Sequence, residues 1–246
     1  MYKKSIGLIG GFGAYATMDF YRRILEQFKS DSERSFPHIY MDLNFTMPSR
    51  TKALLYGTDY DIVVKDIAES LRKMCMLGAD YIILVCGTAH AFLDDALKLF
   101  PEAKEKVIHI IEALGEEMSA AGIKKAAVIA AEGTLQNHLY SRTLKTIDCI
   151  EKDRSEYFER IRYFIELVKQ KKLSKSVCEE FALFLNEHAC NDIILGCTEF
   201  PVLVDYINGI DKTILSEFTF WDPLEAVLEK LKESQDESLG NCVVIP

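Results

Sequence analysis

Two stretches of this 246-residue chain each occur twice, in the same order. Lys3-Lys-Ser-Ile-Gly-Leu-Ile-Gly-Gly-Phe-Gly13 is matched by Lys124-Lys-Ala-Ala-Val-Ile-Ala-Ala-Glu-Gly133. Asp80-Tyr-Ile-Ile-Leu-Val-Cys86-Gly-Thr88 is matched by Asn191-Asp-Ile-Ile-Leu-Gly-Cys197-Thr198. In each half an apolar run opens into a glycine turn, and a later run ends in a cysteine with a threonine nearby. Continuous Ile/Leu/Val runs set between helical patterns signal parallel strands covered on both faces. The repeat therefore predicts an α/β protein of two pseudo-symmetric parallel-sheet domains with the active site between them. Strands are expected at 5–9, 38–44, 81–85, 126–130 and 192–195, and helices at 17–28, 62–74, 156–170 and 174–188. Gly78 is placed to cap the second helix. The domains are expected at 1–103 and 104–212. The chain crosses near 101–106, and 213–246 returns to the first domain as a final helix from Asp222. With no Ser/Gly-rich linker, the two units should pack closely.

Charge narrows the partners. Twenty-nine Lys and Arg against 38 Asp and Glu give a formal net charge of −9, unlike a surface built for phosphates. The cluster Lys169, Lys171, Lys172 and Lys175 reads as a solvated helix end. No apolar run approaches the ~20 residues needed to span a bilayer. Residues 1–16 superficially resemble a signal peptide, but Gly7, Gly10, Gly11 and Gly13 fit a strand and turn better. The seven cysteines are odd in number and lack paired spacing, which argues against a disulfide framework. No Cys-x-x-Cys is present, which argues against structural zinc. Cytoplasm is the expected compartment.

Cys75, Cys178 and Cys190 read as small core hydrophobes, and Cys149 and Cys242 have no supporting context. Cys86 and Cys197 differ, because a residue at the carboxyl end of a parallel strand faces the ligand crevice of α/β proteins. A helix starting just beyond such a cysteine favours its thiolate. Thr88 and Thr198 are caps or ligand donors in those turns. Inverting a carbon centre needs a base on one face and an acid on the other, and two opposed thiols supply that pair. A cysteine nucleophile with a histidine base is the alternative. His90, four residues after Cys86, fits an indirect role, orienting the thiol or a substrate.

These residues resemble the cofactor-independent aspartate/glutamate racemase family, in its aspartate-racemase-like branch. The resemblance runs through Ile6-Gly-Leu-Ile-Gly-Gly-Phe-Gly-Ala-Tyr-Ala-Thr17, Asn44 to Arg50-Thr51 and Cys86-Gly-Thr-Ala-His90. It continues through Gly133-Thr134 with Tyr140, Leu195-Gly-Cys-Thr-Glu199 and Asp222-Pro223. It implies catalysis without pyridoxal phosphate or another cofactor, a small amino-acid substrate and a homodimer. It also implies a two-base mechanism through Cys86 and Cys197, with Cys197 serving the L-isomer and Cys86 the D-isomer. Arg50 and Lys169 would hold the substrate's acidic side chain, Arg50 by a bidentate fork and Lys169 as a point charge. A surface cation is the alternative for each. The turns at Gly11–Gly13 and Gly133–Thr134 would cradle the α-carboxylate as anion nests. Thr88, Thr198 and Glu199 complete the expected binding residues.

The sequence departs from the family where Gly87 replaces an Asn expected to bind substrate, Phe12 a Met, Ala14 a Pro and Asn137 a Ser. Gly87 is thus expected to alter specificity, and Gly87→Asn to improve turnover of aspartate or glutamate. Three rivals remain. Gly11-x-Gly13-x-x-Ala16 fits a dinucleotide fingerprint, but Asp42 stands too far on for the expected acidic residue. A dicarboxylate isomerase or decarboxylase, and a degenerate amino-acid-binding protein, are the others.

Overall fold

The structure, a computed structural model, describes residues 4–29, 32, 34 and 36–240. Cys242 lies outside the described residues. β1 (Ile6–Gly10) pairs in parallel with β2 (Ile39–Leu43) and β3 (Tyr81–Leu84), giving the order β2-β1-β3. β4 (Lys125–Ile129) pairs in parallel with β5 (Asp148–Glu151) and β6 (Asp192–Leu195). β7 (Thr219–Trp221) adds to β6, giving β5-β4-β6-β7. Alternation along a strand sends neighbouring side chains to opposite faces. Ile6 and Leu8 of β1 accordingly enter a core shared with the second half, while Ile9 enters a separate first-half core.

α1 (Ala14–Gln27) begins three residues before the expected start, directly after Gly13, where Thr17 Oγ1 donates to Gly13 O at 2.9 Å. α2 (Arg50–Tyr56) starts at Ser49, whose side chain accepts from Lys52 N–H. α3 (Tyr60–Met76) ends before Gly78, which takes φ +82° as its capping place requires. Beyond β3 come a 3-10 turn at Thr88–Phe92, α4 (Leu93–Leu99), a second 3-10 turn at Pro101–Lys106 and α5 (Ile110–Ala120). The second half continues with α6 (Glu132–Gln136), α7 (Leu139–Thr143), α8 (Ser155–Lys169), α9 (Lys175–Asn186) and α10 (Glu199–Ile210). α11 (Pro223–Gly240) closes the described chain.

β7 falls within 213–246, the segment expected to return to the first domain. β7 lies in the second sheet, where Ile193 of β6 faces Phe220. The matching position of β3, Ile82, makes an isolated parallel bridge to Val107. Three residues beyond each partner a helix begins, α5 at Ile110 and α11 at Pro223. The repeat unit therefore runs from β1 through α5 and again from β4 through α11. α5 and α11 are equivalent helices that pack against each other. α11 also reaches α1 of the first half, where Arg23 pairs with Asp222 at 2.7 Å and Glu225 at 3.0 Å.

Candidate active site

Cys86 stands two residues beyond β3 and Cys197 two residues beyond β6. The registers Ile9↔Leu84 and Ile129↔Leu195 make these positions equivalent. Both thiols, together with Arg50, Thr88, Lys169, Thr198 and Glu199, line one cavity of about 400 Å³ between the halves. The halves are tied there by a 2.8 Å hydrogen bond between the hydroxyls of Thr88 and Thr134. A wider surface groove bounded by Lys152, Arg154 and Arg160 holds none of these residues.

The two thiols sit in unequal fields. Burial raises the Cys86 thiol, while Arg50 and the N–H groups of Ala89 and Thr88 pull it back toward ionisation. Cys197 is pushed well above the ordinary thiol value, first by burial and then by the Glu199 carboxylate. Its Sγ donates to Glu199 Oε2 at 2.9 Å, and the N–H of Glu199, opening α10, works the other way. Burial opposes the charge of Lys169, but Glu199, Glu166 and Cys197 raise it on balance. Lys169 also reaches Glu166 at 3.3 Å.

Arg50 lines the cavity with its two terminal nitrogens bound to carbonyls, while its buried Nε has no hydrogen-bond partner. Its NH1 donates to Pro48 O at 3.0 Å and Met47 O at 3.5 Å, and its NH2 to Phe12 O at 2.9 Å. Its guanidinium also lies over the Phe12 ring, 5.0 Å from the centroid. In this geometry Arg50 is a positive charge beside Cys86 that ties the Met47–Pro48 segment to the turn at Phe12.

Five expected binding residues are not among those lining this cavity. A Cβ at Gly11, where φ is +85°, would fall 2.7 Å from the Asn44 backbone, and one at Gly13 2.5 Å from Glu199 Oε1. A Cβ at Gly133 would meet Thr51 Cα at 3.0 Å, so this glycine lets α6 approach α2. Thr134 is fully buried on its bond to Thr88. Gly87 is the clearest departure from expectation. A Cβ there would lie 2.6 Å from Gly196 O, so this residue allows the two cysteine motifs to meet. His90 is buried and does support the thiol's backbone: Nε2 accepts from Ile110 N–H, leaving Nδ1–H to donate to Cys86 O at 2.9 Å. Burial and neighbouring His109 lower its pKa to about 3, so it remains neutral.

With this geometry in view, the relatives are informative. Residues 9–229 match the family described as Asp/Glu/Hydantoin racemase. The chain belongs to that family. A broad specificity amino-acid racemase, RacX of Bacillus subtilis, is 25% identical over 217 residues, covering 83% of this chain and 89% of that protein. Aspartate racemase of Picrophilus torridus superposes with a TM-score of 0.78 at 21% identity, covering 95% of this chain and 94% of its own. Glutamate racemase of Francisella tularensis, solved with D-glutamate, gives 0.68 at 17% identity over 97% and 83%. The two-sheet α/β architecture is thus that of aspartate and glutamate racemases, and family membership supports an isomerase of the racemase class.

The cavity of this racemase-family chain has further walls that sequence reasoning missed. Phe12, Leu55, Tyr56 and Ile165 supply apolar surface, and Glu132, Arg162 and Glu166 supply charge. Arg162, Ile165, Glu166 and Lys169 recur at helical spacing along α8 and share one face, so Lys169 alone was signal enough to find the others. Tyr140 stands among the residues that carry the family resemblance, but a tyrosine in a five-residue helix gives no pattern that points its ring at the cysteines.

Proposed function

We propose that this chain is an amino-acid racemase that inverts Cα of an acidic amino acid, aspartate or glutamate, with Cys86 and Cys197 as its acid/base pair. The observation that carries the reading is that two thiols from equivalent strand ends line one cavity with Lys169 and Arg50. Cys86, with Arg50 and two N–H groups beside it, is the thiol more readily ionised. Cys197, which donates to Glu199, keeps its proton. A substrate presenting Cα–H to Cys86 gives its proton to that thiolate, and Cys197 delivers its own to the opposite face. The charge then rests on Cys197, ready for the other enantiomer. Lys169, Arg162 and Lys52 line the cavity as cations for the side-chain carboxylate, beside Arg50, whose terminal nitrogens are bound to carbonyls.

The mixed charge of the rim favours one second reading. Arg162 lies 3.9 Å from Glu132 and Lys169 3.3 Å from Glu166, so a basic side chain also finds partners there. A broad substrate range is the consequence. Incubation with each L-amino acid, without added pyridoxal phosphate, followed by chiral chromatography, separates the two readings. Aspartate or glutamate should invert fastest if the first holds, and basic residues should compete if the second does. In heavy water, early product should carry deuterium at Cα while remaining substrate stays protiated, because the thiol that takes a proton cannot return it to the other face. Cys86→Ala and Cys197→Ala should each abolish inversion. Full racemisation by either variant would remove the two-thiol mechanism.

A further inference from the structure

Tyr140 is fully buried, and its hydroxyl has no hydrogen-bond partner. Its surroundings single it out. A Cβ at Gly87 would lie 3.3 Å from Tyr140 Oη, and one at Gly196 2.9 Å from Tyr140 Cε2. Gly87 follows Cys86 and Gly196 precedes Cys197, so the ring is wedged between the backbones of the two cysteine motifs. The short helix carrying it is anchored. The Glu151 carboxylate accepts from Ser141 Oγ at 2.5 Å, from His138 Nδ1 at 2.9 Å and from Ser141 N–H at 3.4 Å. A donor buried without a partner is unfavourable unless something else requires it there.

We propose that Tyr140 is a positioning residue for the thiol pair, its O–H supplying a hydrogen bond to the sulfur that carries the negative charge. The inference rests on the two-thiol reading above. As one sulfur gains the substrate's Cα proton and the other gives its proton to the opposite face, the charge passes between sulfurs. Rotation about Cζ–Oη lets one hydroxyl follow it, and Tyr140 keeps its own proton throughout. Burial, with the charges of Cys197, Asp222, Cys86 and Cys149, holds the phenol well above its ordinary pKa, so it stays a donor. Tyr140 is not among the cavity-lining residues and acts on substrate through the cysteines.

Tyr140→Phe removes the hydroxyl alone. The first readout is the pH dependence of iodoacetamide alkylation, resolved at Cys86 and Cys197 by peptide mass spectrometry. The second is kcat and KM for racemisation. Arg50 and Glu199 face Cys86, Glu199 and Lys169 face Cys197, and Asp222 and Cys149 face Tyr140. All are unchanged in the variant, so a shift belongs to the hydroxyl. The expected result is an upward move of the alkylation midpoint at one or both sulfurs. With it, kcat should fall about tenfold or more, KM should be nearly constant and the melting temperature should not drop. Unchanged midpoints and kcat, or an activity loss that follows a lower melting temperature, would overturn the proposal. If the wild-type protein inverts no amino acid, the racemase reading fails on its own, and the alkylation shift still decides the role of Tyr140. Should the Phe variant not fold, Glu151→Gln loosens the anchor without touching the ring. It should give a weaker shift of the same sign, and none would count against the role.

Discussion

Burial raises both Cys86 and Cys197, and their neighbours partly offset the rise at Cys86 while adding to it at Cys197. Arg50 is half-buried over Phe12 and bound to three carbonyls, which hold it beside Cys86. Glu199 is buried, accepts from Cys197 and fills the space a Cβ would need at Gly13. A positive neighbour favours the thiolate and a negative one disfavours it. The signs give a paired prediction. Arg50→Gln should raise the alkylation midpoint of Cys86, because the positive charge that favours its thiolate is lost. Glu199→Gln should lower that of Cys197, because the charge raising it is lost. Since Glu199 also opposes ionisation of Cys86, Glu199→Gln should move both midpoints down, Cys197 more. Site-resolved alkylation across pH checks this, and equal shifts at both sulfurs in Glu199→Gln would refute the asymmetry. Arg50→Gln should in addition lower stability by about 1 kcal/mol in urea melts, since the partly buried carbonyls of Pro48 and Phe12 lose their donor.

Among the elements, what was legible followed burial. β1, β3, β4 and β6 are near-continuous apolar runs with helices over both faces, and their sequences announce it. β5, Asp148-Cys-Ile-Glu151, is a partly exposed edge strand, and β7 is three residues long, so neither carries a period to read. α2, α6 and α7 span only five to seven residues, too few turns for a hydrophobic stripe. The site followed the same logic. The cysteines, Arg50 and Lys169 lie next to recognisable strands or helices, whereas Tyr140 and the Thr88–Thr134 bond come from how elements meet. Gly87 shows the difference most plainly. A missing Asn reads in sequence as a lost substrate contact, yet in the fold the glycine is where one cysteine motif touches the carbonyl of the other. The prediction at this scale reverses the sequence expectation. Gly87→Asn should push the β3 and β6 turns apart and destabilise by about 1–3 kcal/mol. It should lower kcat for aspartate and glutamate, not raise it. A variant with the parent's melting temperature and faster turnover would show that the motifs have room to separate.

Across the whole molecule, the repeat does more than bring two thiols to one cavity. Residues of β1, α1, β3 and α5 share one core with β4, β6, α8, α9, α10 and α11, so the halves are joined by apolar packing as well as by the Thr88–Thr134 bond. Their closing helices, α5 and α11, are the equivalent elements that meet. α11 brings Leu224, Val227, Leu228 and Leu231 into that core, each at most 2% exposed. It also brings Asp222 to Arg23, whose side chain is 11% exposed. Burying an aliphatic side chain of this size contributes about 1.5–3 kcal/mol. The four together supply roughly 6–12 kcal/mol, comparable to the ~5–15 kcal/mol by which a native protein exceeds its unfolded state. Removing the helix also leaves the Arg23 guanidinium without Asp222 in a largely dry setting, which adds to the loss. A chain stopped after Trp221, with every cavity residue still present, is therefore expected to lose its cooperative thermal melt and its near-ultraviolet circular dichroism. If it instead melted cooperatively near the parent temperature, α11 would be an appendage on a self-sufficient core. The pairing of equivalent closing helices would then contribute nothing to holding the cysteines across one cavity.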